Sequence, residues 1–250
     1  MNSKKEYVCI LGVFIFVVIT SFKLGSDYGV IGLKEPTALA YKNGILYVAN
    51  KGNYVSMLDK YGNILELEYL NIKKPSSIIL DGNDFVVSSN NELFFYQKPL
   101  ELKKVIRFDD KIVQIAKSNS GVLVLLSNGD ILKVNYLEAK FLCNIPNASS
   151  ITFGDGYFFV VVGNFINVYD NDNCNRLETS REFGVEINYI SYNDGVVSAT
   201  STSDNIVFLL NQHLDKIKSY KFDKPTFAYY SKQKFFVCSR KLGKIYIKNN

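Results

Sequence analysis

The amino-acid sequence predicts an all-β fold, a six-bladed β-propeller, from three observations. A degenerate unit of about 38 residues recurs six times between Pro36 and the C-terminus, as expected of stacked supersecondary units. Within each unit, short apolar strands alternate with turns, and no segment has a convincing amphipathic helical pattern. The last unit lacks its fourth strand, and a strand-like segment just before Pro36 can supply it.

The units are nearly equal in length. The steps between successive starts are 39, 37, 36, 39 and 38 residues, a regularity that repeat architectures show. No long linker rich in Ser, Gly or Pro interrupts the array, so we expect one propeller domain over residues 27–250. The six starts are Pro36, Pro75, Ile112, Ala148, Ile187 and Pro225.

Turn residues and apolar patterns define the strands within a unit. Asn-Gly or Asp-Gly pairs separate the first two strands in four units and supply the positive φ angles of tight hairpins. The second strands, such as 157–162, are almost continuously apolar, as expected where neighbouring blades cover both faces. The fourth strands, such as 216–222, alternate, which is typical of a half-solvated outer edge.

The two ends of the propeller are expected to pair with each other. After Gly243, residues 244–248 suffice for a third strand but leave none for a fourth. The segment Gly32–Pro36 has the same form as the boundaries that follow fourth strands elsewhere in the chain. We therefore assign Tyr28–Leu33 as the fourth strand of the last blade, which closes the ring and removes an open edge.

Residues 1–25 form a separate segment with the features of an export signal. Lys4 and Lys5 precede an uncharged apolar run over 7–22, and Lys23 follows it. We expect one hydrophobic helix here, either an uncleaved membrane anchor or a cleaved signal peptide, and the lack of an Ala-x-Ala site favours the anchor. A buried N-terminal helix is the third alternative. The positive-inside bias predicts a membrane-anchored or secreted propeller on the extracytoplasmic side.

Charge and cysteine content exclude some classes of function. The 29 basic and 24 acidic residues are scattered and form no basic stripe, so we expect no nucleic-acid partner. Outside the apolar run, Cys143, Cys174 and Cys238 cannot all pair with one another. We expect three reduced thiols, with a Cys143–Cys174 disulfide as the alternative, and we predict no oligomer.

The first unit resembles the NHL repeat. The matching positions are Pro36, Leu39, Gly44, the segment 46–50 (Leu-Tyr-Val-Ala-Asn), Asn53, Val55, Asp59 and Gly62. Tyr54 stands where the family has Arg after the Asn, and the other units keep less of the pattern. The resemblance implies a propeller of this repeat type over Pro36–Asn250.

The mouth of the axial channel is the expected ligand site of such a propeller. Among the two positions that follow each unit start there is no carboxylate and no histidine, and His213 lies in a turn. We therefore predict no catalytic residue, no bound metal and no cofactor. The segment 170–175 begins like a calcium loop but lacks the required Gly and Glu, and we predict a hairpin tip. The candidate binding residues are Lys74, Lys111, Gln114, Glu186, Asn188 and Lys224.

These features favour a noncatalytic propeller that binds a protein, peptide or glycan through the loops between second and third strands. The alternative from another class is a metal-dependent hydrolase or lyase with Glu35, Glu186 and Asn188 as ligands. A structural component of a cell-envelope assembly is the third possibility.

Overall fold

The computed structural model describes residues 33–70, 72–82, 84–97, 101–171, 174–177, 181–232 and 234–249, and the backbone of residues 27–31. In this part of the chain, 24 strands form six antiparallel sheets of four strands each, with no helix. The predicted six-bladed propeller is therefore confirmed.

The strands follow the six repeat units in order, from the axis outward in each blade. Strand β1 (Asp27–Ile31) precedes blade one but belongs to the last blade. Blade one contains β2 (Pro36–Lys42), β3 (Ile45–Asn50), β4 (Tyr54–Asp59) and β5 (Ile64–Tyr69). Blade two contains β6 (Ser77–Asp81), β7 (Asp84–Ser89), β8 (Glu92–Gln97) and β9 (Glu101–Arg107). Blade three contains β10 (Ile112–Ser118), β11 (Gly121–Leu126), β12 (Asp130–Val134) and β13 (Ala139–Asn144). Blade four contains β14 (Ala148–Gly154), β15 (Tyr157–Val162), β16 (Phe165–Asp170) and β17 (Arg181–Glu182). Blade five contains β18 (Tyr189–Asn193), β19 (Val196–Ser201), β20 (Ile206–Leu210) and β21 (Lys216–Lys221). Blade six contains β22 (Phe227–Tyr230), β23 (Lys234–Ser239) and β24 (Lys244–Asn249), with β1 as its fourth strand.

The ring is closed by the first and last strands, as the sequence predicted. Strand β1 pairs antiparallel with β24, with Asp27 opposite Lys248 and Ile31 opposite Lys244. The observed strand begins one residue before the predicted Tyr28–Leu33 and ends at Ile31. The last sheet has the order β1-β24-β23-β22, so its outer strand comes from the opposite end of the propeller chain.

The core lies between neighbouring blades. Strands β19 and β23 are buried at every residue, which explains why all their residues except Lys234 are apolar or small. Aromatic rings join adjacent blades, as Tyr47 of blade one packs against Phe85 of blade two with ring centroids 4.9 Å apart. The outer strand β5 is mostly exposed, and Tyr69 keeps 78 % of its surface accessible.

The propeller has two distinct faces. The hairpin face carries the turns between first and second strands, such as Asp155-Gly156 and Asp194-Gly195, and the turns between third and fourth strands. The crossover face carries the second-to-third strand turns and the passages from each blade to the next. Bonds between neighbouring inner strands confirm their common direction. Thr37 Oγ1 donates to Pro75 O (2.8 Å) at the crossover face, and Lys42 Nζ donates to Gly82 O at the hairpin face.

A repeated hydrogen bond organises the crossover face. In five blades, the backbone carbonyl of a residue in the second-to-third strand turn accepts the backbone N–H of the residue that follows the fourth strand. The acceptors, with their donors, are Asn53 (Leu70), Asn91 (Phe108), Gly129 (Ile145), Asn164 (Phe183) and Asn205 (Phe222), at N···O distances of 2.8, 2.9, 2.8, 2.8 and 3.0 Å. These bonds fix the end of each fourth strand to the turn of its own blade.

A disulfide joins blade three to blade four, so the expectation of three reduced thiols was wrong. Cys143 on β13 pairs with Cys174 in the hairpin after β16, with their Cα atoms 6.3 Å apart. The two cysteines are 31 residues apart in sequence, and the proximity of these two outer parts follows only from the stacking of the blades. Cys238 is free and buried, with its Sγ 3.2 Å from Pro36 O.

The predicted helix and membrane anchor at residues 1–25 lie outside the described residues, so they stay predictions. Within the described residues, no helix is long and apolar enough to cross a membrane.

Candidate functional site

A cavity of about 410 Å³ lies around the axis and reaches the hairpin face. Its walls are formed mainly by the inner strands, and its rim includes Lys42, Asn119, Asp155 and Asp194, which lie in or beside the first-to-second strand turns. All six blades contribute to the lining. The cavity is therefore the end of the axial channel that opposes the predicted mouth.

Gln114 forms the floor of this cavity with two neighbouring blades. Its Nε2 donates to Ile190 O of blade five (3.0 Å), and its Oε1 accepts hydrogen bonds from Ser150 Oγ and from Ile151 N (3.3 Å) of blade four. Ser150 Oγ in turn accepts a bond from Ile190 N (2.9 Å). Because blade four separates blades three and five around the ring, the Gln114 side chain must cross the channel on the axis side of blade four. It borders the cavity on the side of the crossover face.

Tyr192 fixes one wall of the cavity between blades four and five. Its backbone N–H donates to Thr152 Oγ1 (2.8 Å), and its hydroxyl donates to Asp155 Oδ2 (2.5 Å). The ring also stacks on Phe159, with centroids 5.9 Å apart. Burial, followed by the adjacent Asp155 carboxylate, raises the pKa of Tyr192 well above its ordinary value.

Aromatic side chains line the cavity on the side of blades four, five, six and one. Tyr189 and Phe227 contact each other, with ring centroids 4.3 Å apart and ring planes inclined by 52°. Burial raises the pKa of Tyr189, and burial with the nearby charge of Asp194 raises that of Tyr229. Both hydroxyls therefore stay neutral and able to donate hydrogen bonds at ordinary pH. The aromatic lining residues are Tyr41, Phe153, Tyr189, Tyr192, Phe227 and Tyr229.

The charges at the rim are divided between two sides. Asp155 and Asp194 lie on the aromatic side, and among the described residues neither forms an ion pair with a basic side chain. In blades one and three, Lys42 donates to a carbonyl of blade two and Lys117 pairs with Asp81 (3.7 Å). The rim therefore carries charges of both signs, and its two carboxylates without an ion pair lie beside the tyrosines.

Among the residues predicted from sequence, Gln114 lies in the cavity, and the other five lie at the crossover face. Lys74 and Lys224 have left-handed backbone (φ 54° and 49°), and their N–H groups donate to Asn53 Oδ1 and Asn205 Oδ1, at 3.1 and 2.9 Å. Two of the other predicted residues also bond to nearby backbone: Lys111 O accepts from Ser127 N (2.8 Å), and Asn188 Oδ1 accepts from Thr202 N (2.8 Å). The side chain of Glu186 is exposed.

Sequence reasoning missed Tyr192, Tyr229 and the two rim carboxylates. A signal for this wall was present, because four units carry an aromatic residue two positions before the first-to-second strand turn. These residues are Tyr41, Phe153, Tyr192 and Tyr230. Tyr230 itself is not part of the lining, whereas its neighbour Tyr229 is.

The residues of the alternative metal site have other contacts. Glu35 pairs with Lys51 (2.6 Å) and Arg240 (3.3 Å), and the bond from Lys51 lowers the pKa of its carboxyl. Within the described ranges, no group of three or more His, Cys, Asp or Glu side chains is arranged to hold a metal ion. In the calcium-like segment, Asp170 N donates to Asn175 O (3.0 Å) and Tyr169 forms an antiparallel bridge with Arg176, while residues 172–173 between them lie outside the described residues.

Comparison with known proteins identifies the fold and no family. No protein-family model and no curated protein matches the sequence. Among solved structures, the chain is similar to the crystal structure of BBS1N in complex with ARL6DN, with a TM-score of 0.63 and 11% sequence identity. The match covers 89% of this chain and 95% of that chain. At this identity the similarity shows a common propeller fold.

Proposed function

We propose that this protein is a noncatalytic binding propeller whose partner, a protein or peptide, engages the cavity on the hairpin face. The observation that carries this proposal is a tyrosine-lined cavity with a hydrogen-bonded floor at Gln114 and two carboxylates without an ion pair, Asp155 and Asp194, on its rim. Concave sites with apolar walls and a few placed polar groups are typical of ligand binding.

The chemistry of the cavity suits recognition better than proton transfer. Tyr189, Tyr192 and Tyr229 have raised pKa values, so each keeps its proton and acts as a hydrogen-bond donor. Asp155 already accepts the hydroxyl of Tyr192. Tyrosine is also a frequent contact residue of protein interfaces, since it combines a large apolar surface with one polar group.

The structural neighbour supports a macromolecular partner. The similar propeller BBS1N was crystallised in complex with ARL6DN, so a propeller of comparable shape takes part in a protein complex. A glycan ligand, the other option from the sequence, has no comparable support and would be revealed by the test below.

Export and membrane attachment are part of the proposal. The apolar run over 7–22 supports them, and so does the Cys143–Cys174 disulfide, since such bonds persist mainly in oxidising compartments. Strand β1 starts at the hairpin face, because Asp27 pairs with Lys248 near the end of β24. The link 23–26 spans at most about 15 Å. An anchored run would therefore hold the hairpin face, with its cavity, close to the membrane.

Site-specific photocrosslinking in the native cell envelope tests the proposal. The crosslinking residue p-benzoylphenylalanine is placed in the full chain at Asn119 on the exposed rim, at Lys74 on the crossover face, or at Tyr69 on the outer strand of blade one. We expect one protein to be crosslinked from Asn119 and from neither other position. Crosslinks from Lys74 alone would move the site to the crossover face and overturn the assignment, and exclusive capture of glycan would replace the partner class.

A further inference from the structure

We infer that the cavity on the hairpin face binds an organic ammonium group, as in a lysine side chain or a quaternary ammonium compound. This inference rests on the proposed function and specifies the chemistry of the ligand. It follows because the aromatic rings of the cavity and the two carboxylates without an ion pair, Asp155 and Asp194, lie on the same side.

The first step concerns the aromatic wall. Cations are attracted to the faces of aromatic rings, and several rings around one position form the cages that recognise ammonium groups. Tyr189 and Phe227 provide two ring planes inclined by 52°, with Tyr229 on the same inner strand as Phe227. Tyr41 extends this wall into blade one. The rings therefore surround part of the cavity from three consecutive blades.

The second step concerns charge. The carboxylate of Asp194 accepts one bond, from Lys232 N (2.8 Å), and forms no ion pair with any described side chain. Its field reaches both neighbouring tyrosines, since it contributes to the raised pKa of Tyr229 and of Tyr192. A cation in the cavity would interact favourably with this carboxylate, and an anion would be repelled.

The third step concerns the basic groups of the lining, Lys42 and Lys117. Lys42 Nζ donates to Gly82 O, and Lys117 lies 3.7 Å from Asp81, so both ammonium groups have partners in blade two. Neither ammonium group forms an ion pair with Asp155 or Asp194. Both carboxylates therefore stay available to a bound cation.

The fourth step selects an organic cation over a metal ion. Calcium requires six to eight oxygen ligands at close range. The cavity instead offers aromatic walls and a volume of about 410 Å³, enough for an ammonium group with an attached alkyl chain. The neutral tyrosine hydroxyls can orient such a ligand through its other polar groups.

Calorimetric titration of the full chain in detergent tests the inference with three probes. Choline and N-acetyl-lysine methylamide carry an ammonium group, and 3,3-dimethylbutan-1-ol is a neutral analogue of choline of the same shape. We expect choline or the lysine derivative to bind at least about 10-fold more tightly than the neutral alcohol, because cation–π and charge terms add. The tighter of the two ammonium probes identifies the source of the group. Equal binding of choline and the alcohol, or no binding of either ammonium probe, would overturn the inference.

Variants separate the site from general effects on the fold. Asp194→Asn should lower the affinity for the ammonium probe about 5-fold or more. Asp109→Asn, at an exposed carboxyl on the crossover face, should leave this affinity unchanged. Tyr229→Phe keeps the ring and should retain most of the affinity, and Tyr229→Leu should lose it. Unchanged affinity in both Asp194→Asn and Tyr229→Leu would place the probe elsewhere and refute the inference.

The outcome is distinguishable from failure of the proposed function. If crosslinks form at Asn119 while no ammonium probe binds, the cavity has a partner of another chemistry and the ammonium inference alone fails. If an ammonium probe binds the cavity while no protein crosslinks at Asn119, the ammonium inference stands and the protein-partner proposal fails.

Discussion

The ring of Tyr192 packs directly on the backbone of Gly154. A methyl group on Gly154 would lie 2.1 Å from Cδ1 and Cε1 of this ring, a distance that no side chain tolerates. The absence of a side chain at Gly154 therefore permits the close contact between blades four and five that positions the Tyr192 hydroxyl at Asp155.

Substitution of Gly154 by Ala should destabilise the propeller. The ring of Tyr192 must move, with loss of its bond to Asp155 and its stacking on Phe159, and overpacking of this kind costs about 1–3 kcal/mol. Denaturant unfolding measures the change in the free energy of unfolding. Gly184→Ala is the matched control, because a methyl group on Gly184 meets no atom within 4 Å. Equal unfolding midpoints for the two variants would contradict the packing argument.

Removal of the Gln114 amide should lower the free energy of unfolding, because this side chain is hydrogen-bonded to two other blades. Gln114→Ala removes the acceptor of the Ser150 hydroxyl proton and the donor to Ile190 O in a buried site, and unsatisfied buried polar groups cost about 1–3 kcal/mol. Thermal unfolding should show the loss. Ser149→Ala, at the exposed residue beside Ser150, should leave the melting temperature nearly unchanged. A melting temperature for Gln114→Ala equal to that control would show that the network contributes little.

The fold was predictable from sequence because its signals can be read along the chain. The Asn-Gly and Asp-Gly turns mark hairpins within one blade, the repeat period gives the number of blades, and the incomplete last unit predicts the pairing of β1 with β24. The observed strand β1 differs from the predicted one only at its bounds.

The location of the cavity was not predictable in the same way. Gln114, Ser150 and Ile190 are hydrogen-bonded to one another at the floor of the cavity, although they are separated by 36 to 76 residues and come from three blades. Contacts of this kind between units cannot be read from the pattern within one unit. Lys74 and Lys224 stay predicted binding residues, and their backbone N–H groups donate to asparagines of the neighbouring turns, a contact that the sequence did not indicate.

The Cys143–Cys174 disulfide should contribute substantially to stability. Crosslinks across a loop of this length, 31 residues, stabilise a fold by about 3–4 kcal/mol in the chain-entropy model. We expect the double variant Cys143→Ser/Cys174→Ser to lower the melting temperature clearly, and reduction of the wild type to have the same effect. Mass spectrometry after alkylation of the unfolded, unreduced chain should find Cys238 modified and the other two protected. Alkylation of Cys143 and Cys174 would show that they are reduced.

Alkaline pH should destabilise the protein through its cavity tyrosines. The pKa values of Tyr189, Tyr192 and Tyr229 are raised in the folded state, so above pH about 10 the unfolded chain loses protons that the folded chain retains. The free energy of unfolding is therefore unaffected by these groups below that pH and falls as the pH rises beyond it. Urea unfolding at several pH values measures this slope.

Phenylalanine variants assign the alkaline slope to particular residues. Tyr229→Phe should make the decrease in stability above pH about 10 less steep, since one shifted group is removed. A slope that is identical in the variant and the wild type would contradict a role for Tyr229.

Asn205 should stabilise the fold in two ways, by its tolerance of a left-handed backbone and by its side-chain hydrogen bond. It has φ 58°, a left-handed conformation, and its Oδ1 accepts the N–H of Lys224 at 2.9 Å. Asn205→Gly keeps the conformation without strain and loses only this bond, a cost of about 0.5–1.5 kcal/mol. Asn205→Ala adds backbone strain of about 1 kcal/mol, so urea unfolding should rank wild type above Gly and Gly above Ala. Gly129 and Gly243 occupy the equivalent turns with φ 92° and 59°, which supports this order. An alanine variant as stable as the glycine variant would show that the left-handed backbone carries no cost at this turn.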